Sequence, residues 1–439
     1  MRFNLRQLID RIQVSYWFVP LAMGLLAILL ARVLLWMDTQ VPNAVLDTGK
    51  YAFGGSPEQA RTVMIGIASI TLGTAGIVFS LLTVPLSVVV SQYGSRLLRI
   101  YMRDTTFQII LGTFMATIVY CLTVALAIPS SGVPYDTPQI ASTAGLLLEL
   151  VTVASLILLI HHIGKSLQAP NLVAAAGSEL RSVVLSGRAG HIPPAGEQAD
   201  VKSLRAKIAQ EGDAVYAADT GYIQIIDTEA VLDLARKDDL VIQFTHKPGE
   251  FIQPGVLIAR AWTPSGIRNE EVIDLIRQAY LLGNQRTPVQ DIEYAVMQLV
   301  EVGVRAMSPA INDPYTAMTC LHQIGAGLAL YVAQGERGCC TYDSDGRLRL
   351  MYEPATMGEL LEAAFDMFRR ASRENAKVLQ ALLTAIEQIA QNARQPEVRA
   401  ELLQQVRLVE AEGRAGASID WDREQISQRC TELADLLLD

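Results

Sequence analysis

The sequence predicts a multi-pass α-helical membrane domain with four transmembrane helices, followed by an α+β cytoplasmic domain with a small β module and a helical part. Three observations predict it. Hydrophobic residues make up 51% of the 439 and charged residues only 18%, with a mean hydropathy of +0.27, a balance that water-soluble chains of this size rarely show. Four stretches reach the ~20 mainly apolar residues that a bilayer-spanning helix needs. Residues 1–165 carry 10 Lys/Arg and 7 Asp/Glu, whereas residues 166–439 carry 26 and 38, so a slightly basic apolar front half is joined to an acidic back half. This composition excludes a disordered chain. The acidic back half has no basic, aromatic-rich surface motif, which speaks against a nucleic-acid partner.

The predicted spans cover residues 17–36, 62–90, 107–128 and 140–161. The first follows Arg2, Arg6 and Arg11, is too long for a signal-peptide core and lacks a small-residue cleavage site, so it is expected as an uncleaved anchor with Tyr16, Trp17 and Trp36 at its interfaces. Arg96, Arg99 and Arg103 lie between spans two and three, and His161, His162 and Lys165 follow span four; the opposite side has no basic excess. The positive-inside rule therefore predicts both termini, and everything after about residue 165, in the cytoplasm.

Span two carries the most information. Gly66, Ser69, Gly73, Gly76, Ser80, Thr83 and Ser87 recur every three or four residues, which lines small and hydroxylated residues along one helix face. Two readings fit: close packing of transmembrane backbones, or a pore lining shared among subunits. Both hold together if the helices pack around a symmetry axis. Twenty-nine residues exceed the ~30 Å hydrocarbon core, so a tilt or a bend at Pro85 is expected. Beyond it Arg96, Arg99 and Arg103 would touch lipid phosphates or line a cytoplasmic pore mouth.

Glu149 falls near the middle of span four without a basic residue at matching depth. A charge there costs at least ~2.5 kcal/mol by insertion scales, which marks it as a candidate site for ion or proton handling, or else as a protonated interhelical hydrogen bond. Hydroxyls of span two, such as Thr74 or Ser80, are its expected partners. His161 and His162 are expected to cap the end of span four.

Residues 166–212 read as a helix over 172–185 and a Gly/Pro-rich linker. Over 213–265 short β-rich runs around GYIQ and PGEFIQPGVLIA resemble the two halves of a barrel-sandwich, lipoyl-like module. Lys237 lacks a carrier motif, so no lipoylation is expected. Residues 266–439 are mainly helical. Thr287, Pro288 and Gln290 read as an N-cap, a first-turn proline and a capping-box position, and Asp313 with Pro314 starts the next helix. The polar residues Asp291, Arg305, Asn312, Asp313 and Thr316 form a candidate ligand loop around SPAINDP, with capping as the plain alternative. A β-hairpin with a DSDG turn is expected over 339–352, then two or three amphipathic helices. The five cysteines are odd in number and include no CxxC, which argues against a disulfide framework or a zinc site; the adjacent Cys339 and Cys340 read as incidental.

The segments VFSLLTVPLSVVVSQYGSRLLRIYMRD, LGTFMATIVYCL and RTPVQDIEYAVMQLVEVGVRAMSPAINDPYTA, in this order of membrane half and soluble half, resemble a bacterial predicted-membrane-protein family, the domain of unknown function 2254. The resemblance covers nearly the whole chain. It implies an integral protein of the bacterial cytoplasmic (inner) membrane and brings no activity, substrate or catalytic residue. The family pattern at the loop reads SPGIND, and Ala310 stands here in place of the glycine that a left-handed backbone would favour.

No nucleotide-binding glycine loop, GxSxG, HExxH or kinase signature occurs, so no enzyme, catalytic residue, metal or cofactor is expected. The leading expectation is a homo-oligomeric channel or transport protein for inorganic ions, with span two on or beside the path, Glu149 as the intramembrane charge site and the cytoplasmic domain as regulator or assembler. The alternative is a non-conducting, membrane-anchored sensor or scaffold whose cytoplasmic domain binds a ligand or a protein.

Overall fold

The four apolar runs become four helices: α1 (Phe18–Gln40), α2 (Pro57–Tyr93), α3 (Thr105–Ala127) and α4 (Gln139–Ser166). All four are long and apolar enough to cross a bilayer, with mean hydropathies between 1.9 and 2.4. They belong to a computed structural model whose described residues are 17–40, 53–93, 104–129, 136–166, 168–186, 198–264, 266, 270–335 and 338–438. The chain divides into two units, Met1–Leu172 and Val173–Asp439.

In the first unit α3 is the hub. Its membrane-length window is 61% buried, against 22–33% for the other three, because α1, α2 and α4 all pack on it. Two glycines set the closest approaches. A Cβ on Gly112 of α3 would run into Met23 Sδ of α1, and one on Gly145 of α4 would meet Met64 Sδ of α2 at 2.6 Å. α3 starts at Asp104, whose carboxylate accepts the Thr106 N–H at 2.9 Å. α2 continues as helix through Pro85, where the sequence predicts a bend.

The second unit begins with the remainder of α5 (Ala169–Ser186), whose Leu180 packs over Gly327, and continues with α6 (Gln198–Glu211), which starts inside the segment the sequence assigns to a linker. Its strands are β1 (Asp213–Tyr216), β2 (Gly221–Ile226), β3 (Val241–Phe244), β4 (Phe251–Ile252), β5 (Leu257–Trp262), β6 (Tyr280–Gly283), β7 (Cys340–Tyr342) and β8 (Leu348–Met351). They form a five-stranded sheet, β1-β5-β3-β8-β7, and a three-stranded sheet, β4-β2-β6. Helices α7 (Thr228–Lys237) and α8 (Glu270–Gln278) connect strands β2 to β3 and β5 to β6. The sheets therefore reach beyond residues 213–265. β6 pairs with β2, and the predicted hairpin adds β8 parallel to β3 through Ile242↔Leu350. Strand pairing depends on unpaired edges rather than on nearness in sequence, so two segments that read as part of a helical region complete the β module.

The hairpin is held by a buried cation. Arg349 donates from Nε to Asp343 Oδ2 and from Nη1 to Asp239 Oδ1, both at 2.7 Å. Asp343 also accepts the N–H groups of Asp345 and Arg347 at 2.9 Å each, and together with the Arg349 guanidinium they hold its carboxyl below the usual range.

The helical part comprises α9 (Ile292–Ala306), α10 (Pro314–Ala333), α11 (Met357–Ala371), α12 (Ala376–Ala390), α13 (Pro396–Gly416) and α14 (Asp420–Leu438). Four helices follow the hairpin instead of two or three. The run from Met357 splits at Ser372, where Asn375 caps α12 by accepting the Val378 N–H. Thr356 and Glu359 close a capping box on α11. α9 lies close against α11 because Gly303 leaves room for the fully buried Phe368 ring.

Two outcomes follow from these contacts. Gly303→Ala would drive a methyl into Phe368 and should lower unfolding stability by about 1–3 kcal/mol, with part of the loss recovered by adding Phe368→Leu, as read by denaturant melts. Asp343→Asn should destabilise at neutral pH. Because the folded carboxyl lies below its ordinary value of 3.8, that stabilisation is complete above this value and is lost as pH falls through the folded one. The gap between variant and parent melts should therefore narrow in acid below about pH 4.

Candidate functional site

An interior hydroxyl in a membrane helix must find a partner within the bundle, since lipid tails offer none. Along α4, Ser142, Gly145, Glu149, Thr152, Ser155 and His162 recur at intervals of three, four and seven and so share one face. That face points inward. Ser142 is fully buried, as are nearly all of Thr152 and Ser155.

From one end to the other the polar contacts run as follows. Asp38, in the last turn of α1, caps α4: its carboxylate oxygens accept the N–H groups of Ile140 and Ala141 at 2.8 and 2.9 Å. Tyr120 of α3 donates its hydroxyl to the Ala141 carbonyl at 2.8 Å. The Ser142 hydroxyl, next along the face, has no hydrogen-bond partner. Glu149 Oε2 accepts the hydroxyl of Thr71, a residue of α2 that is 1% exposed, at 2.7 Å. Thr117 of α3 and Thr152 share a hydrogen bond at 2.8 Å, and Ser155 donates to the Thr152 carbonyl at 2.7 Å. At the far end His162 Nε2 meets Asp104 Oδ2 at 2.5 Å, while its ring stands edge-on to Phe107 with centroids 4.9 Å apart.

This geometry changes the expected pairing. The partner of Glu149 is Thr71, not Thr74 or Ser80. Thr74 returns its hydroxyl to the Ile70 carbonyl at 3.0 Å, and Ser80 is exposed on the other side of α2. His162 is likewise not a cap on its own helix; it pairs with the residue that caps α3.

The small-residue stripe of α2 faces away from this interior. Ser69, Gly73, Gly76, Ser80, Thr83 and Ser87 are exposed and Gly66 is half-exposed, while Ala60, Met64, Ala68, Thr71, Ala75 and Val78 are buried. A Cβ built on Gly66, Gly73 or Gly76 would meet nothing within 4 Å. The stripe and Glu149 therefore lie on opposite sides of α2, and the structure does not bring them to one path. Arg96, Arg99 and Arg103 lie outside the described residues.

The candidate ligand loop separates into two places, because the 15-residue α9 puts ~22 Å between its ends. At the first, Asp291 rather than Thr287 caps α9, accepting the Tyr294 N–H at 2.9 Å. Arg286 grips the same carboxylate with Nε at 2.7 Å and Nη2 at 2.9 Å and reaches Glu293 at 3.3 Å. Gln290, expected in a capping box, instead bonds both backbone groups of Ile226, at 2.9 and 3.1 Å, and so fastens α9 to β2. Gly249, with φ +96°, closes the joint from a third side; a Cβ there would strike Asp291. At the second place Asp313 caps α10 as expected, accepting the Thr316 N–H at 3.1 Å and its hydroxyl. Arg305 pairs with Glu301 at 3.2 Å. The left-handed residue is Asn312, φ +48°, and not Ala310, so the departure from the glycine-bearing family pattern costs no strain there. Among the described residues no group of three His, Cys, Asp or Glu side chains is placed to hold a metal ion. Cys339 and Cys340 sit with their sulfurs 3.4 Å apart, and burial together with that contact pushes the Cys340 thiol up to about 12.

Residues 13–388 match the family described as "Predicted membrane protein (DUF2254)". The chain belongs to this family. Uncharacterized proteins of Mycobacterium bovis and Mycobacterium tuberculosis are 28% identical to this DUF2254 member over 442 residues, a match covering 98% of the chain and 82% of theirs. No solved structure matches it. A four-span apolar half followed by a mixed helical and sheet half is thus its architecture, and the RTPVQDIEYA segment of the matched region is the part that joins α9 to the β module.

Sequence reading passed over Thr71, Thr117, Asp38 and Arg286. A signal for the first two existed: Ser142, Glu149, Thr152 and Ser155 already share a helical face in the sequence. Arg286→Met would leave Asp291 buried without its cation and should cost about 3–5 kcal/mol in a denaturant melt. Adding Asp291→Asn should recover part of that loss.

Proposed function

We propose that this DUF2254 member is a homo-oligomeric ion channel or transport protein of the bacterial cytoplasmic membrane. Its two termini and its larger unit would lie on the cytoplasmic side, and that unit, with its barrel-sandwich-like β module, would assemble or regulate the path. The observation that carries this reading is the outward stripe of α2. Six of its seven small or hydroxylated residues are exposed, and its three glycines have free space where a Cβ would stand. Small residues on an outer transmembrane face let a second copy approach closely, and hydroxyls arranged around an axis of such contacts can replace part of an ion's water shell. The basic excess between spans two and three and after span four supports the orientation. Lipid and inorganic ions are then the partners, with no nucleic acid.

A second reading, a non-conducting anchored sensor or scaffold, draws on the SPAINDP loop and the first turn of α10 after it, where Ile311 is 39% and Tyr315 76% exposed. Aromatic and aliphatic side chains presented together suit a protein or ligand partner.

Ion flux separates the two. Purified full-length protein in liposomes should pass potassium, sodium or chloride above the level of empty vesicles, and the double substitution Gly76→Leu, Ser80→Leu should lower that flux in protein that remains folded. The absence of flux under several ions, pH values and osmotic gradients would leave the anchored sensor.

A further inference from the structure

The inner face of α4 does something the α2 stripe does not. It places protonatable and hydroxylated groups along the bundle interior of a single copy, from Asp38 at one end to His162 and Asp104 at the other. We propose that this file carries protons: the cargo moved through each copy is H+, with Glu149 as the intramembrane proton carrier and Ser142, Thr152, Thr117 and Ser155 as the hydroxyls on either side of it. The proposal rests on the transport reading above and goes beyond it by naming the cargo and a path within the copy, separate from the face where copies would meet.

Four observations carry it. Glu149 is a carboxylic acid at mid-span, bound by a hydroxyl rather than by a cation: Thr71 donates to it at 2.7 Å, and among the described residues no Lys or Arg pairs with it. A carboxyl so placed can take up and give back a proton without breaking an ion pair. Toward the Asp38 end the Tyr120 hydroxyl stands 2.8 Å from the carbonyl of Ala141, the residue before Ser142, and the Ala141 N–H is held by the Asp38 carboxylate at 2.9 Å. The Ser142 hydroxyl, fully buried between Asp38 and Glu149, has no protein partner; a buried polar group left in this way suits a water molecule. Toward the other end the Thr117 and Thr152 hydroxyls meet at 2.8 Å and the Ser155 hydroxyl lies one turn on, resting on the Thr152 carbonyl at 2.7 Å, and the face finishes at the His162–Asp104 pair.

The chemistry balances without electrons. A proton entering at the Asp38 end adds to the Glu149 carboxylate. It leaves toward Thr152 and Ser155 through water, each hydroxyl turning from the backbone carbonyl it rests on to accept a proton on Oγ as it releases its own, and His162 or Asp104 takes one proton from that side and gives one to the opposite side. The carboxylate and hydroxyls then return to their starting state. Ser142 to Glu149 and Ser155 to His162 are each seven residues, about 10.5 Å, so water must bridge both intervals, and the fully buried Leu159 is the apolar side chain that water must pass in the second.

The test uses full-length protein in liposomes holding a pH-sensitive dye, with proton uptake driven by a potassium diffusion potential and potassium flux measured separately. Glu149→Gln keeps the shape and can still accept the Thr71 hydrogen bond, so the protein should fold and elute as its parent does. Its proton flux should fall about 100-fold, the scale on which removing a positioned proton-transfer group acts. Ser142→Ala should lower proton flux less, and Ile157→Ala, on the exposed side of α4, should leave it unchanged. Wild-type proton flux in Glu149→Gln overturns the proposal, as does proton flux that falls as far in Ile157→Ala as in Glu149→Gln. Wild-type protein that passes other ions and no protons overturns the proposal while the transport reading stands, and protein that passes no ion overturns both.

Discussion

Everything in the first unit depends on one constraint: polar groups inside a hydrocarbon layer must be satisfied by the protein itself. Helices satisfy their own backbones, so the constraint falls on side chains and on helix ends. It is met in two ways: Thr71, Thr117 and Thr152 turn inward to partners on neighbouring helices, while Ser69, Thr74 and Thr83 return their hydroxyls to carbonyls of α2 itself. Thr117 and Thr152 answer each other across the α3–α4 contact. Glu149 takes its hydrogen bond from Thr71, and the exposed start of α4 is covered by the Asp38 carboxylate. The bundle can close around these groups because Gly112 and Gly145 let the neighbouring methionines come near.

In the second unit the corresponding restraint is a set of buried ions that tie segments distant in sequence. Arg286 and Asp291, with Gln290 beside them, fix α9 to β2, and Arg349 fixes the hairpin to Asp239, two residues past the end of α7. Such pairs add little net stability compared with apolar packing, yet breaking one is costly. Their effect is therefore on which arrangement forms. Gly249 shows how narrow that choice is, since its positive φ and missing side chain are both used at the same joint.

The two proposed paths divide along α2. Its exposed side carries the small and hydroxylated stripe between large apolar residues such as Ile70, Ile77 and Phe79, while its inner face delivers a single threonine to Glu149. Helical spacing makes the two faces separable in the sequence, and a contact between copies and a path within a copy would therefore draw on different residues of one helix. A scheme that joins the stripe and Glu149 in one conduit has to cross the helix itself.

The sequence by itself determined the number of spans, the split into an apolar and a mixed half, the cap at Asp313 and the hairpin near residue 340, because each follows from local hydrophobic period or from a side chain that bonds its own backbone a few residues on. It also exposed the α2 stripe and Glu149 as features needing an explanation. Only the tertiary structure decided that Thr71 rather than Thr74 meets Glu149 and that the stripe faces outward. It likewise decided that Asp291 caps α9 while Gln290 serves a strand 64 residues away. Those choices turn on which of several equivalent partners another element brings near. A helix supplies hydroxyls on every face, and only the neighbour packed against one of them selects which is used.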